Sequence, residues 1–157
     1  MHARILLADD HEIVLEGIRT LLAKSGRDWE IVGQARNGRD AVAMVKSARP
    51  DLAILDITMP VMSGLEAAKQ IAELGGDCRI LMFTMHESER LGIEARNSGA
   101  HGYVLKAQAA RDLIRAIDYL LGGETFFGAP PEPEGRPERG QSSGPILRLG
   151  LSFAFAL

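Results

Sequence analysis

The 157-residue chain is expected to fold as an α/β domain: a doubly wound, five-stranded parallel sheet in the order 2-1-3-4-5, with five helices. Three observations predict this. Five short apolar runs alternate with segments whose apolar residues recur at helical spacing, all within residues 1–124. The runs are almost continuously apolar, as strands buried on both faces need not alternate with polar residues. Each run is separated from the next by a helix-length segment, the crossover that parallel strands require.

Strand one is Arg4-Ile5-Leu6-Leu7-Ala8, ending on Asp9-Asp10; Val14, Ile18, Leu21 and Leu22 then form a helical face that closes near Ser25-Gly26. Glu30 to Ala35 reads as strand two. Asn37-Gly38 reads as a turn signal. Ala41, Val42, Val45 and Ala48 give a second helix, stopped by Pro50. Asp51 to Asp56 is strand three. Ser63 with Glu66 is a capping box opening a helix with Leu65, Ala68, Ile71, Ala72 and Leu74 on its face. Arg79 to Thr84 is strand four, and a weaker helix runs from about Ser88 to Ser98, with Gly99 suited to its end. Gly102 to Lys106 is strand five; Ala109, Leu113, Ile117 and Leu120 mark the last helix, closed by Gly122-Gly123.

Composition narrows the function classes. Net charge is −3, so the wholesale basicity of a nucleic-acid-binding chain is absent. The lone Cys78 excludes an internal disulfide framework and fits a reducing compartment, so a cytoplasmic location is expected. No apolar run of about 18 residues predicts a membrane span, and Met1-His2-Ala3-Arg4 lacks the core of a signal peptide. Five of the seven prolines lie between Pro130 and Pro145, which sets the C-terminal stretch apart. The expected organisation is a domain over residues 1–124, a Pro/Gly-rich linker over 125–145 and an apolar segment over 146–157.

In doubly wound sheets ligands bind outside the carboxyl ends of the strands. Strand one ends in Asp9-Asp10, strand three in Asp56, strand four in Thr84 and strand five in Lys106. In the order 2-1-3-4-5 these ends are neighbours, so three carboxylates, a hydroxyl and an ammonium converge. Two like charges 4 Å apart repel by roughly 4 kcal/mol at an effective dielectric of ~20. One lysine does not neutralise three carboxylates, and an oxygen-preferring divalent ion, Mg²⁺ or Mn²⁺, completes the set. Such an ion invites a phosphoryl group, for which a carboxylate can be the nucleophile.

Those residues, with Ile57-Thr58-Met59-Pro60 and Gly64 after Asp56 and Gly102-Tyr103 before Lys106, resemble the receiver domains of two-component response regulators over about residues 3–123. Asp9 to Gly17 and Gly123 to Phe127 look like the LuxR/NarL-type subfamily, whose members usually carry a DNA-binding helix-turn-helix. The resemblance implies a CheY-like, flavodoxin-like fold and a set of roles. Asp56 would accept a phosphoryl group from a sensor histidine kinase. Asp10 would ligate Mg²⁺ directly, Asp9 mostly through water, and Asp56 and the backbone carbonyl of Thr58 would join them. Lys106 would pair with phosphoryl oxygens; Thr84 would move to bond one of them, and Tyr103 would rotate inward, remodelling the face of helix 4, strand 5 and helix 5. A homodimer through helices 1 and 5, or through helix 4, strand 5 and helix 5, is a further implication. Met85 after Thr84 departs from the small residue many receivers have and is expected to narrow access; Ala107 stands where many have proline.

Plainer readings stand beside these. Asp9 also suits a helix cap with Glu12 as its box partner, Thr84 a strand-end backbone contact, and Tyr103 packing alone with a solvated hydroxyl. His11 and His86 read as loop residues, since no second nitrogen ligand has matching spacing, and Cys78 as an inert thiol.

Multiple-turnover enzymology is not expected. Phosphatases that use an aspartyl phosphate normally carry a second Asp two residues after the nucleophile, and Thr58 occupies that place. The other rival is a truncated, phosphorylation-controlled DNA-binding regulator; no helix-turn-helix pattern follows Phe127, so DNA enters as a partner only with a further domain. Leu147, Leu149, Leu151, Phe153, Phe155 and Leu157 alternate with smaller or polar residues, a strand period. Three accounts of this tail stay open: a frameshifted or truncated ending, a docking segment that adds to a sheet edge or fills a partner groove, or an appendage without a role.

Overall fold

In a computed structural model that describes residues 2–128, the chain runs β1 (Ala3–Ala8), α1 (Glu12–Lys24), β2 (Trp29–Ala35), α2 (Gly38–Ala48), β3 (Leu52–Leu55), α3 (Gly64–Glu73), β4 (Arg79–Thr84), α4 (Glu89–Asn97), β5 (Gly102–Leu105) and α5 (Ala109–Leu121). A 3-10 turn over Lys106–Gln108 joins β5 to α5. The strands form one parallel sheet in the order β2-β1-β3-β4-β5, as the sequence predicts. The predicted segment over residues 146–157 and most of the 125–145 linker lie outside the described residues.

The strands divide the core in two by alternation. Ile5, Leu7, Leu52, Ile54, Leu81 and Phe83 face α1 and α5; Leu6, Ala8, Ala53, Leu55, Ile80 and Met82 face α2, α3 and α4. Both faces of β3 are covered along its whole length, and the charged residues of β1 and β4, Arg4 and Arg79, sit at the amino ends, away from the carboxyl edge. There the register brings the ends level. Ala8 pairs with Leu55, Leu55 with Met82 and Thr84 with Leu105, which places Asp9, Asp56 and Lys106 each one residue beyond a paired strand end.

Several local expectations change in the fold. Asn37-Gly38 is a helix start rather than a free turn: Asn37 caps α2, its side chain accepting from Asp40 N at 2.8 Å. The cap of α1 is His11, not Asp9. Ser63 caps α3 by accepting from Glu66 N at 3.2 Å, and Ser88 caps α4. The first residues of the expected linker belong to the fold. Phe126 is buried in the α5-side core and bridges Gly102, while Arg79 holds the carbonyls of Leu120 and Glu124 at 3.1 and 2.7 Å. A lone aromatic pair, Phe126-Phe127, carried too little periodicity to be read as part of the sheet.

The β3–α3 loop is tightly constrained. A Cβ on Gly64 would lie 1.8 Å from the carbonyl oxygen of Asp56, and Gly64 N donates to Ile57 O at 2.8 Å. Val61 in the same loop has φ of 69°, a left-handed conformation costly for a β-branched residue, and its side chain is 75% exposed. Opposite outcomes are therefore expected for two glycine exchanges. Gly64→Ala destabilises by about 3 kcal/mol or more, since a backbone clash cannot be relieved by a rotamer change. Val61→Gly stabilises by roughly 0.5–1 kcal/mol, the relief of strain exceeding the entropy cost of the new glycine. Urea denaturation of the two variants beside the parent chain checks both.

Candidate functional site

The carboxyl ends of β1, β3, β4 and β5 converge on one polar cluster. Asp9 is 1% exposed, Asp56 6%, Thr84 1% and Lys106 1%. Lys106 Nζ lies 2.7 Å from Asp9 Oδ2 and 3.3 Å from Asp56 Oδ2, bridging the two carboxylates. Asp10 is next in the chain and more open, with a third of its side chain exposed. The backbone locks these groups in place: Asp9 N donates to Ala35 O at 3.0 Å and Asp56 N to Ala8 O at 2.9 Å. The Thr58 amide donates to the Asp56 carboxylate.

Burial and the charge of Asp9 push Asp56 up from 3.8 to about 6, outweighing the opposing pull of Lys106 and the Thr58 amide. The cluster thus carries more negative charge than its one lysine balances. Asp9 Oδ2 and Asp10 Oδ1 are shielded from solvent yet receive no hydrogen bond of good geometry, although Lys106 and His11 stand within ion-pairing distance of them. One ligating atom from each of Asp9, Asp10, His11 and Asp56 lies within 4.8 Å of the others. Uncompensated charge, under-bonded oxygens and a mainly carboxylate donor set fit a hard divalent cation such as Mg²⁺.

His11 is the member that sequence reasoning left outside. Its Nδ1 lies 3.2 Å from Asp9 Oδ1 and 3.1 Å from Asp10 Oδ1, and its amide donates to Asp9 Oδ1 at 2.9 Å. The available signal was its position at the cap of α1, directly after two carboxylates. Cys78 is remote from the cluster in the chain's β3–β4 half, and burial pushes its thiol up to about 12, in keeping with an inert group. Met85 is half exposed just past the β4 end.

Thr84 and Tyr103 meet at the backbone of one residue, His86. Thr84 Oγ1 accepts from His86 N at 3.3 Å, and the Tyr103 hydroxyl donates to His86 O. The tyrosine hydroxyl is therefore bonded, not merely solvated, and its ring packs on the α2/α3/α4-side core. His86 contributes through its backbone, a role that side-chain chemistry could not signal.

Comparison with known proteins places this arrangement in context. Residues 5–118 match the family model described as the response regulator receiver domain. The chain is 38% identical over 124 residues to the transcriptional regulatory protein YdfI of Bacillus subtilis, covering 79% of this chain and 57% of YdfI. It is 36% identical over 122 residues to the nitrate/nitrite response regulator protein NarL of Escherichia coli, covering 78% and 56%. The chain thus matches little more than half the length of these relatives. Among solved structures, a LuxR-family two-component response regulator from Aurantimonas superposes with a TM-score of 0.76 at 35% identity, covering 81% of this chain and 90% of that one. The signal receiver domain of the putative response regulator NarL from Mycobacterium tuberculosis gives 0.74 at 29% identity, covering 78% and 98%.

Two stability outcomes follow from the charge balance. Lys106→Met leaves two buried carboxylates facing each other and is expected to cost about 3–5 kcal/mol, part of which Asp56→Asn in the same chain restores; a double-mutant cycle by urea denaturation measures the coupling. Because Asp56 titrates higher in the folded chain than in the unfolded one, the folded state holds an extra proton between pH 3.8 and about 6. Its contribution to stability is thus present at low pH and lost as the pH rises through that window. In EDTA, Asp56→Asn is expected to stabilise the chain by about 2–3 kcal/mol at pH 8 and to give no gain below about pH 4. Thermal melts across that pH range check it.

Proposed function

The chain belongs to the response regulator receiver domain family, and from that premise we propose that it accepts a phosphoryl group on Asp56 from a sensor histidine kinase in an Mg²⁺-dependent reaction. The observation that carries this reading is the Lys106 ammonium held between Asp9 and Asp56, 2.7 and 3.3 Å away, in a site with too much negative charge for one lysine.

In this reading an Asp56 carboxylate oxygen attacks the phosphorus, the bond from phosphorus to the donor nitrogen breaks, and an aspartyl phosphate results. Only the ionised carboxylate is nucleophilic; burial and Asp9 raise Asp56 in the metal-free chain, and a bound divalent cation would favour its ionised form. Asp9, Asp10, Asp56 and the carbonyl of Thr58 would hold Mg²⁺, which would supply charge neutralisation for the incoming phosphoryl oxygens. Lys106 shifts from pairing carboxylates to pairing the phosphoryl group, for which its position against Asp56 prepares it. The Gly64 contact keeps the Asp56 backbone from drifting, which holds the nucleophile in line.

Thr84 then exchanges its bond to His86 N for one to a phosphoryl oxygen. Releasing that amide loosens His86, whose carbonyl Tyr103 holds, and the α4–β5–α5 face changes with it. The chain acts as a switch that is modified once per cycle, not as an enzyme turning over a free substrate. Among the described residues no helix is long and apolar enough to cross a membrane, so the proposed exchange with the kinase needs no membrane-spanning part of this domain.

The decisive experiment is incubation of the chain with Mg²⁺ and acetyl phosphate, followed by intact mass measurement. Gain of one phosphoryl group is expected, lost in Asp56→Asn and in EDTA. No gain in the parent chain overturns the proposal, and so does a gain that survives Asp56→Asn.

A further inference from the structure

A groove of about 680 Å³ lies between α4 and α5 against β5, and none of the clustered carboxylates lines it. Its lining includes Ile93, Tyr103, Val104, Leu105 and Phe127, and Ile93 is 55% exposed. β5 is an edge strand. Phe126 begins to pair along that edge: Phe126 N donates to His101 O at 3.0 Å and Tyr103 N donates to Phe126 O at 2.7 Å. Among the described residues the pairing comprises this single bridge. Gly128 then takes φ of 138°, a conformation open to glycine that turns the chain out of strand geometry. Tyr103 and Leu105 alternate onto the same side of β5, so the edge runs on past the bridge as a template for one more strand.

We propose that this groove is the docking site of the chain's own residues 146–157, added as a sixth strand along β5. The described chain leaves at Gly128, itself part of the groove lining, so the tether begins at the site. Residues 129–145 connect it to the segment. A tether of that length holds its end at an effective concentration of order mM, far above that of a second copy in dilute solution. The segment presents Leu147, Leu149, Leu151, Phe153, Phe155 and Leu157 at strand spacing, which supplies the apolar side chains the groove lacks. The lining carries Glu87, Glu89 and Asp112 against Arg96 and Arg111, one negative charge in excess, which the segment's one charged side chain, Arg148, complements in sign. Docking there would cover exposed Ile93 and occupy the free edge of β5, two features that otherwise favour aggregation.

The test replaces Phe153 with p-benzoylphenylalanine in the full 157-residue chain. The chain is irradiated at low micromolar concentration and its cross-links are mapped by mass spectrometry. The expected result is a monomeric product joining position 153 to residues 89–105 of the same chain. Ile93→Glu is expected to lower the yield roughly tenfold, the loss of about one large apolar contact, with an unchanged circular dichroism spectrum. Cross-links to a second copy overturn the proposal in favour of self-association. Cross-links elsewhere on the domain, none at all, or a yield indifferent to Ile93→Glu also overturn it.

Discussion

Lys106 is the only positive charge among the buried groups of the site, and it stands between Asp9 and Asp56 with almost no access to water. Two carboxylates at that separation repel by several kcal/mol at the dielectric of a protein site. The ammonium turns that repulsion into a bridge, but not completely, because Asp56 still titrates well above an ordinary carboxylate. The site is held together and left short of positive charge at once. A hard divalent cation would offset that shortage, and the proposed phosphoryl transfer depends on its doing so.

The rest of the fold serves to keep these groups at the edge of a dry sheet. The central stretches of β1, β3 and β4 are apolar, and the ionisable residues Asp9 and Asp56 follow the last paired residues of β1 and β3. The loop that carries Asp56 is wedged against its own backbone at Gly64, and Gly38 from the start of α2 donates its amide to Met62 O at 3.0 Å from the other side. Strain is present in the same loop at Val61, whose left-handed backbone is maintained by its neighbours rather than by its own preference.

The same edge connects to a second surface. His86 offers its amide to Thr84 and its carbonyl to Tyr103, so the backbone of one residue lies between a residue at the carboxylate cluster and one lining the α4–β5–α5 groove. Arg96 of α4 stacks on the Phe127 ring at 4.2 Å, which ties α4 to the chain emerging after α5. A change at the cluster therefore has a short physical route to the groove and to whatever follows the domain.

Much of this was legible in the chain. Apolar runs ending on Asp9-Asp10, Asp56, Thr84 and Lys106 identified strands and the residues at their ends, because these are one-dimensional patterns, and the doubly wound order 2-1-3-4-5 then made those ends converge. Ser63 and Glu66 announced α3 in the same way. The sequence alone thus determined the fold class and the chemical inventory of the site. Tertiary structure decided which carboxylates Lys106 bridges, that His11 stands among the ligating groups, that Asn37 caps a helix rather than making a free turn, and that Phe126 closes onto β5. Those outcomes depend on distances between segments far apart in the chain and on backbone groups such as those of His86. Every residue carries the same backbone groups, so no side-chain pattern encodes them.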